Sequence, residues 1–126
     1  MDSPANLKYT EEHEWLFIEA DNTARIGITD FAQSELGEIV YVEVNAVGEE
    51  LKAGDVFGTV EAVKTTSELF LPLSGTILEV NERLENEPEL VNNEPYGEGW
   101  IIKIKIKDGA ELSNLMDADA YQALVG

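Results

Sequence analysis

Few side chains in this 126-residue chain can do chemistry. There is no cysteine, which removes disulfides, thiol nucleophiles and thiolate metal sites together. There is one histidine, His13, so Ser–His and His-pair chemistry lack their usual parts, and a zinc site would need mostly carboxylates. Lys64 is the one positively charged residue between Lys52 and Arg83. Gly54 lies ten residues before it and Gly75 eleven after, with a strand-like run on each side. This pattern puts an amine at the tip of a hairpin. A modifying enzyme could reach it there from all sides, and a group attached there could enter several active sites in turn. The plainer reading is an ordinary exposed lysine on a turn. The tip lacks Gly and Asn, so its backbone is expected to be defined by Val60, Val63 and Leu69 packing beneath it.

The other ionisable groups are mostly acidic. Asp and Glu total 26 against 8 Lys and Arg, a formal net charge of -18. Such a surface repels phosphate backbones and anionic lipid, so nucleic acid and membrane are excluded as partners and a protein with a basic patch is favoured. Lys103, Lys105 and Lys107 form the one basic cluster and read as a strand's solvent face, placed to discourage edge-to-edge pairing. The carboxylates of 82–98 lack the spacing of a calcium loop, so no metal is expected. Gly54, Gly58, Gly97 and Gly99 read as turns rather than a phosphate loop. No nucleophile–base set can be assembled, which argues against an enzyme. No apolar run is long enough to span a bilayer, and the acidic Met1-Asp2-Ser3-Pro4 is unlike a signal or transit segment. The expected location is the bacterial cytoplasm; a mature mitochondrial chain would read the same after processing.

The elements that must position these residues are mostly strands. Trp15 to Ala20 and Ala24 to Ile28 read as a hairpin joined at Asp21-Asn22-Thr23. Thr29 or Asp30 can cap a short helix through Phe31, Ala32 and Leu36 that Gly37 stops. Strands follow over 39–44, 56–63, 66–71 and 76–80, with turns at Leu51 to Gly54 and at Ser74-Gly75. Asn81 to Glu98 reads as a long surface loop with one helical turn at Pro88 to Val91. Trp100 to Lys107 gives the cleanest alternation, with Ile102, Ile104 and Ile106 facing one way. Leu112, Leu115 and Met116 fit a helix face, and Asp117 can cap a last turn carrying Tyr121 and Leu124. With 44% hydrophobic residues the chain can build a core, and the pattern predicts one mainly β domain, a sandwich or small barrel, spanning 1–126.

Gly58 to Leu69 resembles the lysine-bearing hairpin of lipoyl and biotin carrier domains. Further segments resemble the glycine cleavage system H proteins: Leu7-Lys8-Tyr9 with His13-Glu14-Trp15, Ile26-Gly27-Ile28-Thr29, Leu36-Gly37-Glu38-Ile39-Val40, Glu61 to Ser67, Pro72-Leu73-Ser74-Gly75, Glu89-Leu90-Val91-Asn92, Pro95-Tyr96-Gly97 and Leu115-Met116-Asp117. They run in order along nearly the whole chain. Two positions depart from that family's usual pattern, Ala62 where Ser is common and Thr65 where Ala is common. The Met neighbours typical of biotin domains and the Asp-Lys-Ala typical of 2-oxoacid dehydrogenase lipoyl domains are absent.

The resemblance implies a barrel-sandwich hybrid with short helices near both termini, and a non-catalytic carrier. It implies that Lys64 carries lipoic acid in amide linkage, attached by a lipoate ligase or a lipoyl/octanoyl transferase. Acylation would take the formal charge from -18 to -19. It implies three working partners: glycine decarboxylase (P protein), aminomethyltransferase (T protein) and dihydrolipoamide dehydrogenase (L protein). The redox sulfurs belong to the cofactor, so a cysteine-free chain is no obstacle. Family likeness places a cleft near His13-Glu14-Trp15. Glu14 is the first candidate to hold the cationic aminomethyl-loaded arm, with Glu12 and Glu68 behind it. His13 is assigned no chemistry. The nearest alternative is an H-like carrier used for lipoate relay or by another lipoate-dependent complex; an acidic interaction module with an unmodified lysine is the alternative of another class.

Overall fold

The computed structural model describes residues 4–19 and 22–125. Strands β1 (Lys8–Tyr9), β2 (Glu14–Ile18) and β3 (Thr23–Ile28) lead into helix α1 (Asp30–Leu36). Strands β4 (Ile39–Val44), β5 (Glu50–Leu51), β6 (Val56–Ala62), β7 (Thr66–Phe70) and β8 (Gly75–Val80) follow. Short helices α2 (Arg83–Asn86) and α3 (Leu90–Asn93) precede β9 (Ile102–Ile106), a 3-10 helix over Gly109–Asn114 and helix α4 (Ala118–Val125).

The strands form two antiparallel sheets, a six-stranded one ordered β1-β2-β3-β9-β8-β5 and a three-stranded one ordered β4-β6-β7. Their facing sides supply a common core, with Leu16, Ile26, Ile77, Ile102 and Ile104 from one sheet and Phe57, Val60 and Leu69 from the other. Burying each such side chain contributes roughly 1.5–3 kcal/mol. Alternation along β2 sends Trp15 to the opposite side, where it joins Leu7, Tyr9 and Tyr121 in a second cluster. Tyr121 brings α4 to that side, and its ring stacks on Tyr9 at 4.7 Å and 8°. Trp15 pairs with Gly27 across the β2–β3 ladder. A Cβ on Gly27 would lie 2.7 Å from the indole, so only glycine fits there.

Most of the expected elements are present. Thr29 caps α1 by accepting from Ala32 N–H, and Gly37 stops it at φ +84°. Asp117 caps α4 by accepting from Ala120 N–H at 2.8 Å. Within the expected Asp21-Asn22-Thr23 turn, Asn22 has φ +59°; Ala20 and Asp21, like Met1-Asp2-Ser3, lie outside the described residues.

Several expectations need correction. The stretch 81–98 is no surface loop. It holds α2 and α3, and it buries Asn81, Leu84, Leu90 and Val91. Asn81 Nδ2 donates to the carbonyls of Glu98 and Trp100, which ties the stretch down. Gly58 lies inside β6, buried, not in a turn. Leu115 and Met116 continue no helix face, because Met116 forms an isolated antiparallel bridge with Tyr9. Strand β9 lies between β3 and β8, so its lysines protect no edge. Lys103 instead faces Glu19 at 3.5 Å in a half-buried pair, and Lys107, just past β9, faces Glu50 at 2.9 Å at the surface. Among the described residues no helix is long and apolar enough to cross a membrane.

Candidate functional site

Lys64 occupies the connection between β6 and β7 and is exposed. The turn is closed by Ala62 N–H donating to Thr65 C=O at 2.7 Å. A second bond, Val63 N–H to Glu38 C=O at 3.0 Å, ties the tip to the segment between α1 and β4. Val63 itself is 71 % exposed, so it does not pack beneath the tip as expected. Backbone hydrogen bonds set the apex instead.

The Lys64 stem lies against Gly37; a Cβ built on Gly37 would sit 3.3 Å from Lys64 Cε. Gly37 has φ +84° and ψ -154°, a backbone region that favours glycine. Two demands therefore meet at this position, the backbone angle and room for the lysine. The 37–39 segment is itself clamped by α3. Asn92 Oδ1 accepts from Ile39 N–H at 2.9 Å, and Asn92 Nδ2 donates to Gly37 C=O at 2.8 Å and to Gln33 Oε1 at 2.9 Å. Neither Gly37 nor Asn92 stood out as a site residue in the sequence, because neither type signals a role by itself.

A cleft of about 270 Å³ lies between α1 and β7. One wall comes from α1 through Ala32, Glu35 and Leu36, and the other from β7 through Ser67, Glu68 and Leu69. Leu36 precedes Gly37, and Ser67 lies three residues past Lys64, so both walls run away from the lysine. Glu12, His13 and Glu14 complete the lining. All three candidate carboxylates, Glu12, Glu14 and Glu68, thus share one cleft; Lys64 does not line it, and its stem contacts Gly37, the residue after the lining Leu36.

Their environments differ. Glu12 and Glu68 are exposed, whereas Glu14 is 2 % exposed. Glu14 shares the inward parity of Leu16 on β2 and stands opposite Ile28 on β3, so its carboxyl faces the space between the sheets. Glu14 Oε2 accepts from Phe70 N–H on β7 at 2.6 Å, and Oε1 is buried with no hydrogen-bond partner among the described residues. Burial pushes the carboxyl up from 4.5 to about 8. The Phe70 N–H opposes that shift, the Glu12 charge adds to it, and the Thr10 hydroxyl opposes it.

His13 is structural. It has φ +67°, and its ring packs on Phe31 at 4.7 Å. Its Nδ1 lies 2.9 Å from Tyr121 Oη, which is also 2.7 Å from Thr29 Oγ1. The C-terminal helix is thereby joined to the residue next to Glu14. Burial raises the Tyr121 hydroxyl above its ordinary range, with Thr29 opposing.

Comparison with known proteins shows the family. The family model for the glycine cleavage H-protein matches residues 7–126. A glycine cleavage system H protein of Bacteroides thetaiotaomicron is 59% identical over 125 residues, covering 99% of this chain and 98% of that one. One from Symbiobacterium thermophilum is 55% identical over 120 residues, covering 95% and 93%. The crystal structure of a glycine cleavage system H protein from Mycobacterium marinum superposes with a TM-score of 0.86 at 35% identity, covering 98% of each chain. The chain belongs to the glycine cleavage H-protein family, non-catalytic lipoyl carriers that shuttle the aminomethyl group of glycine between the P, T and L proteins.

Proposed function

We propose that Lys64 is the lipoyl attachment site and that the cleft beside it shelters the aminomethyl-loaded arm, with Glu14 as the principal contact and Glu12 and Glu68 at the rim. In this reading residues 1–126 act as one carrier domain, working in the bacterial cytoplasm. The observation that carries it is an exposed lysine apex whose stem contacts Gly37, with a cleft lined by the preceding Leu36, by Ser67 and Glu68 of the following strand, and by the buried Glu14.

The residues fit a lysine-linked lipoyl group. Lys64 is exposed, and among the described residues its amine has no ion-pair partner. The cleft offers Ile28, Leu36, Val60 and Leu69 to an apolar guest. The group supplies the sulfurs that take up and give back the aminomethyl cargo. The chain's residues do the rest. Lys64 holds the group on a tether, which raises its effective concentration at each partner. The cleft walls keep water from the cargo, and Glu14 offers a carboxylate to its amine. The acidic surface steers the carrier toward basic rims on its partners.

Intact mass and peptide mapping after incubation with lipoate, ATP and a lipoate ligase test the attachment site. A single lipoyl adduct on the Lys64 peptide is expected. An adduct on another lysine, or none, refutes the assignment.

A further inference from the structure

On the reading above, the cleft is at times occupied by a cationic amine and at times free of one. A buried carboxyl that lines it meets both conditions. Glu14 is that carboxyl. It is 2 % exposed, one carboxyl oxygen is fixed by Phe70 N–H, and the other has no partner.

The groups around Glu14 decide its charge when no cation is bound. Glu12 and His13 from the segment before β2, Glu35 from α1 and Glu68 from β7 line the same cleft. Glu11 and Tyr9 line the cavity on the other side of Glu14. The carboxylates in this set supply negative potential. His13, the one group able to carry positive charge, is engaged with Tyr121 through Nδ1. An ionised Glu14 would then be a buried anion with an unsatisfied oxygen and acidic neighbours, a state burial strongly disfavours. An ammonium placed against Oε1 reverses that balance, because it satisfies the oxygen and neutralises the charge.

We propose that Glu14 changes protonation state with the cargo: it is a neutral acid while the cleft holds no cation and a carboxylate when it holds the cationic amine. This deepens the role given to Glu14 above and rests on it. The exchange balances simply. Glu14–COOH and an incoming –NH3+ give Glu14–COO⁻ paired with –NH3+, and one proton leaves to solvent. No carbon or sulfur bond changes and no electron moves. The cleft thereby carries no buried charge between loadings and holds the loaded arm by an ion pair.

Carboxyl 13C NMR of the lipoylated protein tests the exchange. The protein is labelled at glutamate Cδ, and the Glu14 signal is assigned by its loss in Glu14→Gln. Both the unloaded and the aminomethyl-loaded forms are titrated from about pH 4 to 10. The Glu14 midpoint is expected to stand well above the other glutamates in the unloaded form and to fall by at least about two pH units on loading. Equal midpoints overturn the proton exchange. A second measurement, the lifetime of the loaded form in Glu14→Gln, separates this from the underlying reading. A shortened lifetime with an unmoved midpoint leaves Glu14 as the holding group and removes only the proton exchange. An unchanged lifetime removes the holding role, and the proposal with it.

Discussion

The lysine apex and the glutamate floor are specified in opposite ways. At the apex, Val63 is 71 % exposed and the turn is set by two backbone hydrogen bonds, one of them to Glu38. At the floor, Glu14 is 2 % exposed and is set by strand parity, core packing and a side-chain bond to Phe70. The apex therefore depends on a neighbouring segment's backbone, and the side chains of Val63, Lys64 and Thr65 stay exposed. The floor depends on the register of two sheets and on the identity of one carboxyl. The amine proposed as the attachment point sits where little of the fold is at stake. The carboxyl proposed to hold the cargo sits where much of it is.

Changing Lys64 should give the largest functional effect with the smallest structural one. Lys64→Arg keeps the charge but removes the acylatable amine. Lipoylation and glycine–bicarbonate exchange with the P protein should both disappear, while the thermal midpoint stays within about a degree, as for a surface substitution. A large fall in thermal midpoint would show that the apex is part of the scaffold and erase the contrast.

Glu14→Gln should do the reverse in unmodified protein, acting on stability in a pH-dependent way. Glu14 titrates at 4.5 in the unfolded chain and at about 8 in the folded one. Between these values the folded state binds the extra proton, so the carboxyl's relative support for folding is full below the lower value and is lost as pH rises through the upper one. Glutamine can still accept from Phe70 N–H but does not titrate. The variant should therefore gain stability relative to the parent from pH 5 to pH 9, by at most roughly 5 kcal/mol. Urea unfolding at both pH values measures this, and a constant difference would mean that burial does not shift the group.

Asn92→Ala tests whether the apex is held from behind. The side chain satisfies Ile39 N–H, Gly37 C=O and Gln33 Oε1. Its loss should cost about 2–3 kcal/mol. It should also raise KM for lipoylation more than it lowers kcat, because Val63 N–H relies on Glu38 within the clamped segment. Equal lipoylation kinetics would show that the hairpin's own turn suffices.

The difference between these regions also explains what could be read from the sequence. Ile102, Ile104 and Ile106 announce a strand by alternation, and Thr29 and Gly37 bracket α1 by capping chemistry, so those elements were legible. Glu14 was reached through the resemblance at His13-Glu14-Trp15 and not through a period, because the strand reads from Trp15 whereas β2 begins one residue earlier and so puts Glu14 on the face of Leu16. The stretch from Asn81 to Glu98 was not legible, because the side chains of Asn81 and Asn92 bond backbone atoms distant in sequence, the Pro95 carbonyl accepts from the Trp15 indole, and such bonds leave no period behind. The apex was half legible. Flanking strands located Lys64, but the Glu38 carbonyl that fixes it comes from another strand connection, and pairing of that kind has no sequence signature. The lysines of β9 were correctly placed on a solvent face for a wrong reason, since alternation does not tell a central strand from an edge.

The smallest effect should come from Tyr121→Phe, which asks whether the floor reaches as far as the C-terminal helix. The substitution keeps the stacked contact with Tyr9 and removes the hydroxyl that lies 2.9 Å from His13 Nδ1 and 2.7 Å from Thr29 Oγ1. A cost of about 1–2 kcal/mol is expected, since a buried hydroxyl partner is lost without leaving a charge. His13 holds φ +67° immediately before Glu14, and a side chain in that region needs surrounding structure to keep it there. A double-mutant cycle between Tyr121→Phe and His13→Ala should therefore show coupling of at least about 0.5 kcal/mol. Without coupling, the His13 backbone bonds to Thr10 and Thr29 would carry the left-handed turn by themselves. The floor would then resemble the apex after all, a functional side chain set in place by backbone alone.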